Sequence, residues 1–186
     1  MTAQFGDRVT IPLRPFLGIL GVSPPPDEPP RSSAVPGNFG GNIDCSDLTA
    51  GSVLYFAGFR RGRRLLCGRC SRRTGKRRSR TDRTGNGIQA AQLRLSVVKG
   101  RSINRPQAET PNHFITMGLD ADLRGAARQE VLDMIDLLAA TQDTTREDAY
   151  ALSLLQADLL VTQLVNGVCG IHARTPKAIF GLGSRR

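Results

Sequence analysis

Gly40-Gly-Asn-Ile-Asp-Cys-Ser-Asp-Leu-Thr-Ala-Gly-Ser-Val-Leu-Tyr-Phe56 is the stretch from which the rest of this 186-residue chain is read. Its glycine pair lets the backbone approach a neighbour closely or take positive φ. Asn42 and Asp44 follow, then the acid-rich turn Cys45-Ser46-Asp47. Leu48 to Gly51 reads as a further turn. Ser52 to Phe56 reads as a strand, with Val53 and Tyr55 on one face and Leu54 and Phe56 on the other. A carboxylate and a carboxamide beside two glycines, just ahead of a buried strand, is a common setting for a catalytic or metal-binding loop. The competing reading is a polar surface turn.

Outward from this loop, the N-terminal side reads as β structure. Met1 to Val22 contains a partly alternating segment with Pro12 and Pro15, suited to an edge or irregular strand. The apolar run Phe16 to Val22 carries two glycines and suits a strand buried close to another backbone. Ser23 to Pro36 is proline-rich, either a stiff surface loop or a polyproline recognition segment. Beyond Thr84, Leu93 to Gly100 alternates as a strand with Leu93, Leu95 and Val97 inward, and His113 to Gly118 reads as another strand.

The C-terminal third reads as helical. Leu123, Ala127, Val131, Met134, Ile135 and Leu138 mark one face of a helix that begins at Asp120 or Ala121 and ends at Thr141. Thr144 and Glu147 form a capping box for a second helix running to about Ala157, with Tyr150 and Leu154 inward. Asp158 to Val165 is extended, Asn166-Gly167 is a turn, and Val168 to Phe180 closes the chain as strand and loop. The expected fold is α+β: a strand-rich, β-sandwich-like N-terminal part with two C-terminal helices packed on strands.

Composition sets bounds. Apolar residues make up 39% of the chain and Trp is absent. No run of about 18 apolar residues exists, so no membrane span is expected. Met1 to Asp7 lacks a basic start and an apolar core, so a secretory signal is not expected and the expected location is the cytoplasm. Four cysteines then read as thiols rather than a disulfide framework. The net charge of +10 is concentrated: residues 60–83 hold twelve of the 26 basic residues and one of the 16 acidic ones. By composition residues 57–83 are an aberrant, disordered, solvated block. They could bind nucleic acid non-specifically through phosphates, and a basic nucleic-acid-binding protein acting through Arg60 to Arg83 is the alternative reading of the chain. No aromatic residue is interleaved there for base stacking. Cys67-Gly-Arg-Cys70 lacks the second Cys or His pair that a zinc ribbon needs. His172, alone on an apolar segment, reads as a hydrogen-bonded core residue or a ligand.

Several separated stretches, in order, resemble the acetamidase/formamidase family. They are Ile11 to Val22, Gly40 to Cys45 with Leu48 to Ser52, Thr116 to Asp120, Arg146 to Tyr150, and Val165 to His172 with Pro176 to Phe180. The resemblance implies that residues 1–186 are a single partial domain, the C-terminal portion of such a fold. It implies hydrolysis of simple linear amides such as formamide and acetamide, a divalent metal (zinc), a small amide substrate and a homo-oligomer. It implies Asp44 as a catalytic and metal-binding carboxylate, Asn42 as its catalytic positioning partner, and Gly40, Gly41 and His172 as substrate-binding residues. Where the basic block stands, the family has a segment like Phe-Ser-Val-Gly-Asp-Ala-His-Ala-Ala-Gln-Gly-Asn-Gly-Glu. Codons for Leu65 to Arg78, read one base out of frame, are compatible with that segment at all fourteen positions. A compensated pair of frameshifts is the expected origin of the charge island, and impaired amidase activity its expected consequence.

Overall fold

The computed structural model describes residues 2–59, 65–74 and 91–182, without the side chains of residues 69–74. Within them lie two antiparallel sheets and two α-helices, an α+β fold. The first sheet contains β1 (Thr2–Phe5), β2 (Val9–Val22), β3 (Gly40–Gly41) and β5 (Leu65–Thr74). The second has the order β4 (Val53–Tyr55), β6 (Gln107–Glu109), β7 (His113–Asp120), β9 (Cys169–Pro176) and β8 (Asp158–Gln163). Helices α1 (Leu123–Gln142) and α2 (Arg146–Gln156) connect β7 to β8.

β2 organises the first sheet. Residues 9–12 pair with β1, residues 13–17 and 19–22 with β5, and only Leu20 and Gly21 have β3 as well. Pro12 and Pro15 therefore each meet a single partner strand, where a missing N–H is tolerated. Gly21 is needed where β2 meets β3, because a Cβ there would stand 2.8 Å from the Phe39 carbonyl oxygen.

The second sheet buries both faces. Phe114, Thr116 and Gly118 of β7 turn toward α1, and the core there gathers Phe114, Met134, Ile135, Leu137, Leu138, Ala149 and Ala173. Ile115 and Met117, on the alternate face, join Leu20, Ile43, Cys45, Leu48 and Ala108 in a second core. The two sheets and the loop after β3 thus share one apolar interior. His172 is the register partner of Met117 and so lies on that same face.

Four expectations change. Composition makes the basic block disordered, yet Leu65–Thr74 is strand β5, since β2 offers it a continuous edge of backbone partners. The rest of the block from Arg60 onward, and the segment to residue 90, lie outside the described residues. Leu93 to Gly100 is not a strand: it pairs with no described strand, and Leu95 and Val97 are exposed. The cap of α2 is Thr145, whose Oγ1 accepts the Asp148 N–H at 3.1 Å, one residue beyond the expected Thr144. Tyr150 and Leu154 face outward, while Ala149 and Ser153 are buried. A short helix lies closest on its neighbour through small residues, and the Ser153 hydroxyl is satisfied by the Ala149 carbonyl at 2.8 Å. The α1 boundary differs less: Asp122 caps it, accepting from the Arg124 and Gly125 N–H groups.

Candidate active site

The loop after β3 is built on unusual backbone. Gly40 and Gly41 have φ of 87° and 104°. A Cβ on Gly40 would overlap the Leu20 carbonyl oxygen and stand 2.8 Å from the Gly21 Cα. Asp44 also takes a positive φ, 45°, which a non-glycine residue adopts only at a cost. The surrounding bonds hold it there. The Asn42 N–H donates to the Ser33 carbonyl at 2.8 Å and the Asp44 N–H to the Gly18 carbonyl at 3.0 Å. Ile43 and Cys45, alternating with these polar residues, are sunk in the core.

Asn42 is almost fully buried, and its side-chain oxygen has no hydrogen-bond partner among the described residues. A buried acceptor left unmade costs roughly 1–3 kcal/mol, so it marks a place where a donor belongs. Asp44, two residues on, is half-buried.

His172 reaches the same loop through a different carboxylate. Its Nε2 lies 3.2 Å from Asp47 Oδ2 and its Nδ1 2.8 Å from Thr162 Oγ1. Both ring nitrogens are thus engaged, and the ring is buried. The hydrogen bond from His172 holds the Asp47 carboxyl down at about 2, against the opposing push of burial, with further help from the charges of Arg174 and Arg14. Arg174 Nη1 stands 3.6 Å from Asp47 Oδ2, and the same guanidinium bonds Asp158 at 3.0 Å.

The structure therefore brings Gly40, Gly41, Asn42 and Asp44 onto one strained, buried-sided loop. It ties His172 to that loop by way of Asp47. Sequence reasoning puts Asp47 in an acid-rich turn without giving it a partner, because Asp47 and His172 are 125 residues apart and no local spacing links them. An apolar groove lined by Val22, Pro24, Phe39, Leu65 and Leu66 opens beside the loop, next to Ser33. The zinc implied by the sequence resemblance needs three or four protein ligands. Among the described residues no group of three His, Cys, Asp or Glu side chains could hold a metal ion, so Asp44 alone does not make a site. Cys67 is exposed and free, and the side chain of Cys70 lies outside the described set. No helix of the described chain is long and apolar enough to cross a membrane.

The α+β fold of this chain is similar to that of acetamidase crystal structures. The chain superposes on the crystal structure of an acetamidase from Bacillus halodurans with a TM-score of 0.72, at 22% identity over 98% of this chain and 61% of that one. An acetamidase from Yersinia enterocolitica gives 0.78 at 25% identity, over 96% of this chain and 53% of that one. A predicted acetamidase/formamidase from the thermophile Thermoanaerobacter tengcongensis gives 0.77 at 23% identity, over 98% and 60%. The chain thus spans between about half and three fifths of the length of these proteins. No family model matches the chain, and no curated protein matches its sequence.

Proposed function

We propose that this chain is part of an amide hydrolase of the acetamidase/formamidase kind, acting on the carbon–nitrogen bond of simple linear amides, and that its basic block impairs it. The observation that carries the reading is the unpartnered, buried Asn42 oxygen beside Asp44, within a fold shared with acetamidases. An amide N–H is a donor of the kind that oxygen lacks among the described residues. Asp44 then acts as the general base, taking a proton from the attacking water and returning it to the departing nitrogen as ammonia. The positive φ of Asp44 is strain of the kind that accumulates at functional sites. The proposal includes a cytoplasmic, homo-oligomeric protein, and no step is routed through a metal.

Impairment follows from the basic block. In this reading residues 65–78 stand where the family carries an Asp-x-His segment, and a one-base shift of frame restores it. The nucleotide sequence over codons 57 to 84 tests the frame: shifted codons that fail to encode Asp-x-His would sink it. Ammonia release from formamide and acetamide, with and without added zinc, tests the function. The chain with its basic block intact is expected to show little or no turnover. A chain reframed over residues 65–78 is expected to gain turnover, and Asp44→Asn in that background to lose about 100-fold or more, the usual worth of a general base. Robust turnover with the basic block intact would overturn the impairment, and no turnover by the reframed chain would overturn the function.

A further inference from the structure

Thr162 interrupts the ladder between β8 and β9. Leu160 pairs with His172 and Val161 with Ile171, yet Gln163 pairs with Gly170, so the bulge falls at Thr162. A bulge re-aims a side chain and recurs beside active sites. Here it brings Thr162 Oγ1 to 2.8 Å from His172 Nδ1. On the far side of the ring, Nε2 stands 3.2 Å from Asp47 Oδ2. An ionised carboxylate only accepts, so Nε2 carries the ring proton toward it. Nδ1 then bears the lone pair and accepts the Thr162 hydroxyl proton. Carboxylate, imidazole and hydroxyl stand in series, the order in which a base held by an acid activates a hydroxyl nucleophile.

Burial runs in the matching direction. Asp47 and His172 are buried, whereas Thr162 is half-buried on β8, the strand at the end of its sheet. Thr162 is the most accessible residue of the three. Leu164 and Val165, which follow the bulge, are exposed and offer apolar surface to an acyl group.

We propose that Thr162 is the nucleophile of an acyl-transfer site for carboxylic esters or amides with a small acyl group, with His172 as its base and Asp47 as the residue that orients the base. The Thr162 oxygen forms a bond to the acyl carbon while its proton passes to His172 Nδ1. The bond to the leaving alcohol or amine breaks, and that group takes the proton from His172. Water then attacks the threonyl ester, again through His172, releasing the acid and restoring the hydroxyl. Asn42 and Asp44 take no part in these steps, which therefore stand independently of the amidase reading.

The test uses p-nitrophenyl acetate and the whole chain, with nitrophenolate release followed by time and the acetyl group located by peptide mass mapping. A burst approaching one equivalent is expected, with the acetyl on Thr162. Thr162→Ser retains the burst, Thr162→Val loses it, and His172→Gln slows it about 100-fold or more. Absence of acetyl on Thr162 in the wild-type chain, or an adduct confined to Lys177, Cys67 or Cys169, overturns the proposal. If Thr162→Val fails to fold by circular dichroism, the wild-type mapping and Thr162→Ser still decide between these outcomes.

Discussion

Gly118 of β7 lies against Ala126 of α1 with no room for a side chain between them. A Cβ at Gly118 would overlap the Ala126 carbonyl oxygen and stand 2.9 Å from the Glu130 Cβ. Neither obstacle is the free end of a flexible side chain. One is helix backbone, and the other is a residue fixed by full burial. The contact sets how closely α1 packs on the sheet. Gly118→Ala is therefore expected to destabilise the chain by about 3 kcal/mol, the upper end of overpacking costs. Urea denaturation measures it, and a loss below about 1 kcal/mol would mean that α1 shifts without consequence.

Glu130 makes the same interface sensitive to alkali. It is fully buried on α1, Thr116 donates to its Oε1 at 3.0 Å, and its Oε2 has no partner among the described residues. Burial pushes its carboxyl up to about 8, the Thr116 hydrogen bond works against this, and the charge of Asp133 adds to it. The unfolded chain gives up this proton near the ordinary 4.5, whereas the folded chain keeps it until about 8. Folded protein therefore binds more protons between those values, and stability falls as pH rises through that window. At about 1.4 kcal/mol per unit the total is on the order of several kcal/mol. Glu130→Gln keeps an acceptor for Thr116 and removes the titration. Its melting temperature should vary less between pH 5 and pH 8 than that of the wild type and exceed it at pH 8 to 9. Parallel pH profiles would show that Glu130 is ionised in the fold at neutral pH.

Asp47 has the opposite slope in acid. Its folded carboxyl titrates at about 2 rather than 3.8, chiefly because of the His172 hydrogen bond. Its contribution is fully present above 3.8 and is lost as pH falls through about 2, amounting to roughly 2 kcal/mol. Asp47→Asn should lower stability at neutral pH by at least about that amount and flatten the acid limb between pH 2 and 4. Chemical denaturation across this range checks it. An unchanged acid limb would mean that the Asp47–His172 bond does not persist in solution.

Local signals and tertiary partners divide what the sequence reveals from what it hides. The α1 stripe is legible because Met134, Ile135 and Leu138 recur at helical spacing and are buried. The Asn166-Gly167 turn is legible because Gly167 supplies a φ of 83°. The Gly40–Gly41 pair does use the positive φ that glycine allows. Leu93 to Val98 misleads because alternation describes a strand only where a partner strand exists, and none of the described strands pairs with it. β5 is hidden because composition measures side chains, whereas its pairing with β2 is made by backbone. In α2 the large side chains suggest the inward face. Close approach to α1 selects Ala149 and Ser153 instead, which a hydrophobicity pattern ranks last. The Asp47–His172–Thr162 series is invisible in sequence because its members lie on the loop after β3, on β9 and at a bulge in β8, and a bulge leaves no mark in an alternating pattern.

The pair Arg105 and Asp133 gives a final prediction. Arg105 Nε and Nη2 reach Asp133 Oδ2 and Oδ1 at 2.7 and 2.8 Å, a bidentate arrangement on a carboxylate that is 6% exposed. Even so, burial outweighs the guanidinium and holds the Asp133 carboxyl above its ordinary value. Removing the guanidinium leaves a buried carboxylate without its cation, so Arg105→Ala is expected to cost about 3–5 kcal/mol. The lone carboxyl can escape that penalty by taking a proton, so the deficit of Arg105→Ala should shrink as pH falls from 8 to 5. The double variant Arg105→Met, Asp133→Leu, which replaces both charges with apolar groups, should recover most of the loss. Equilibrium unfolding of the single and double variants at both pH values decides this. A deficit independent of pH would show that Arg105 acts through packing of its stem on α1 rather than through its charge.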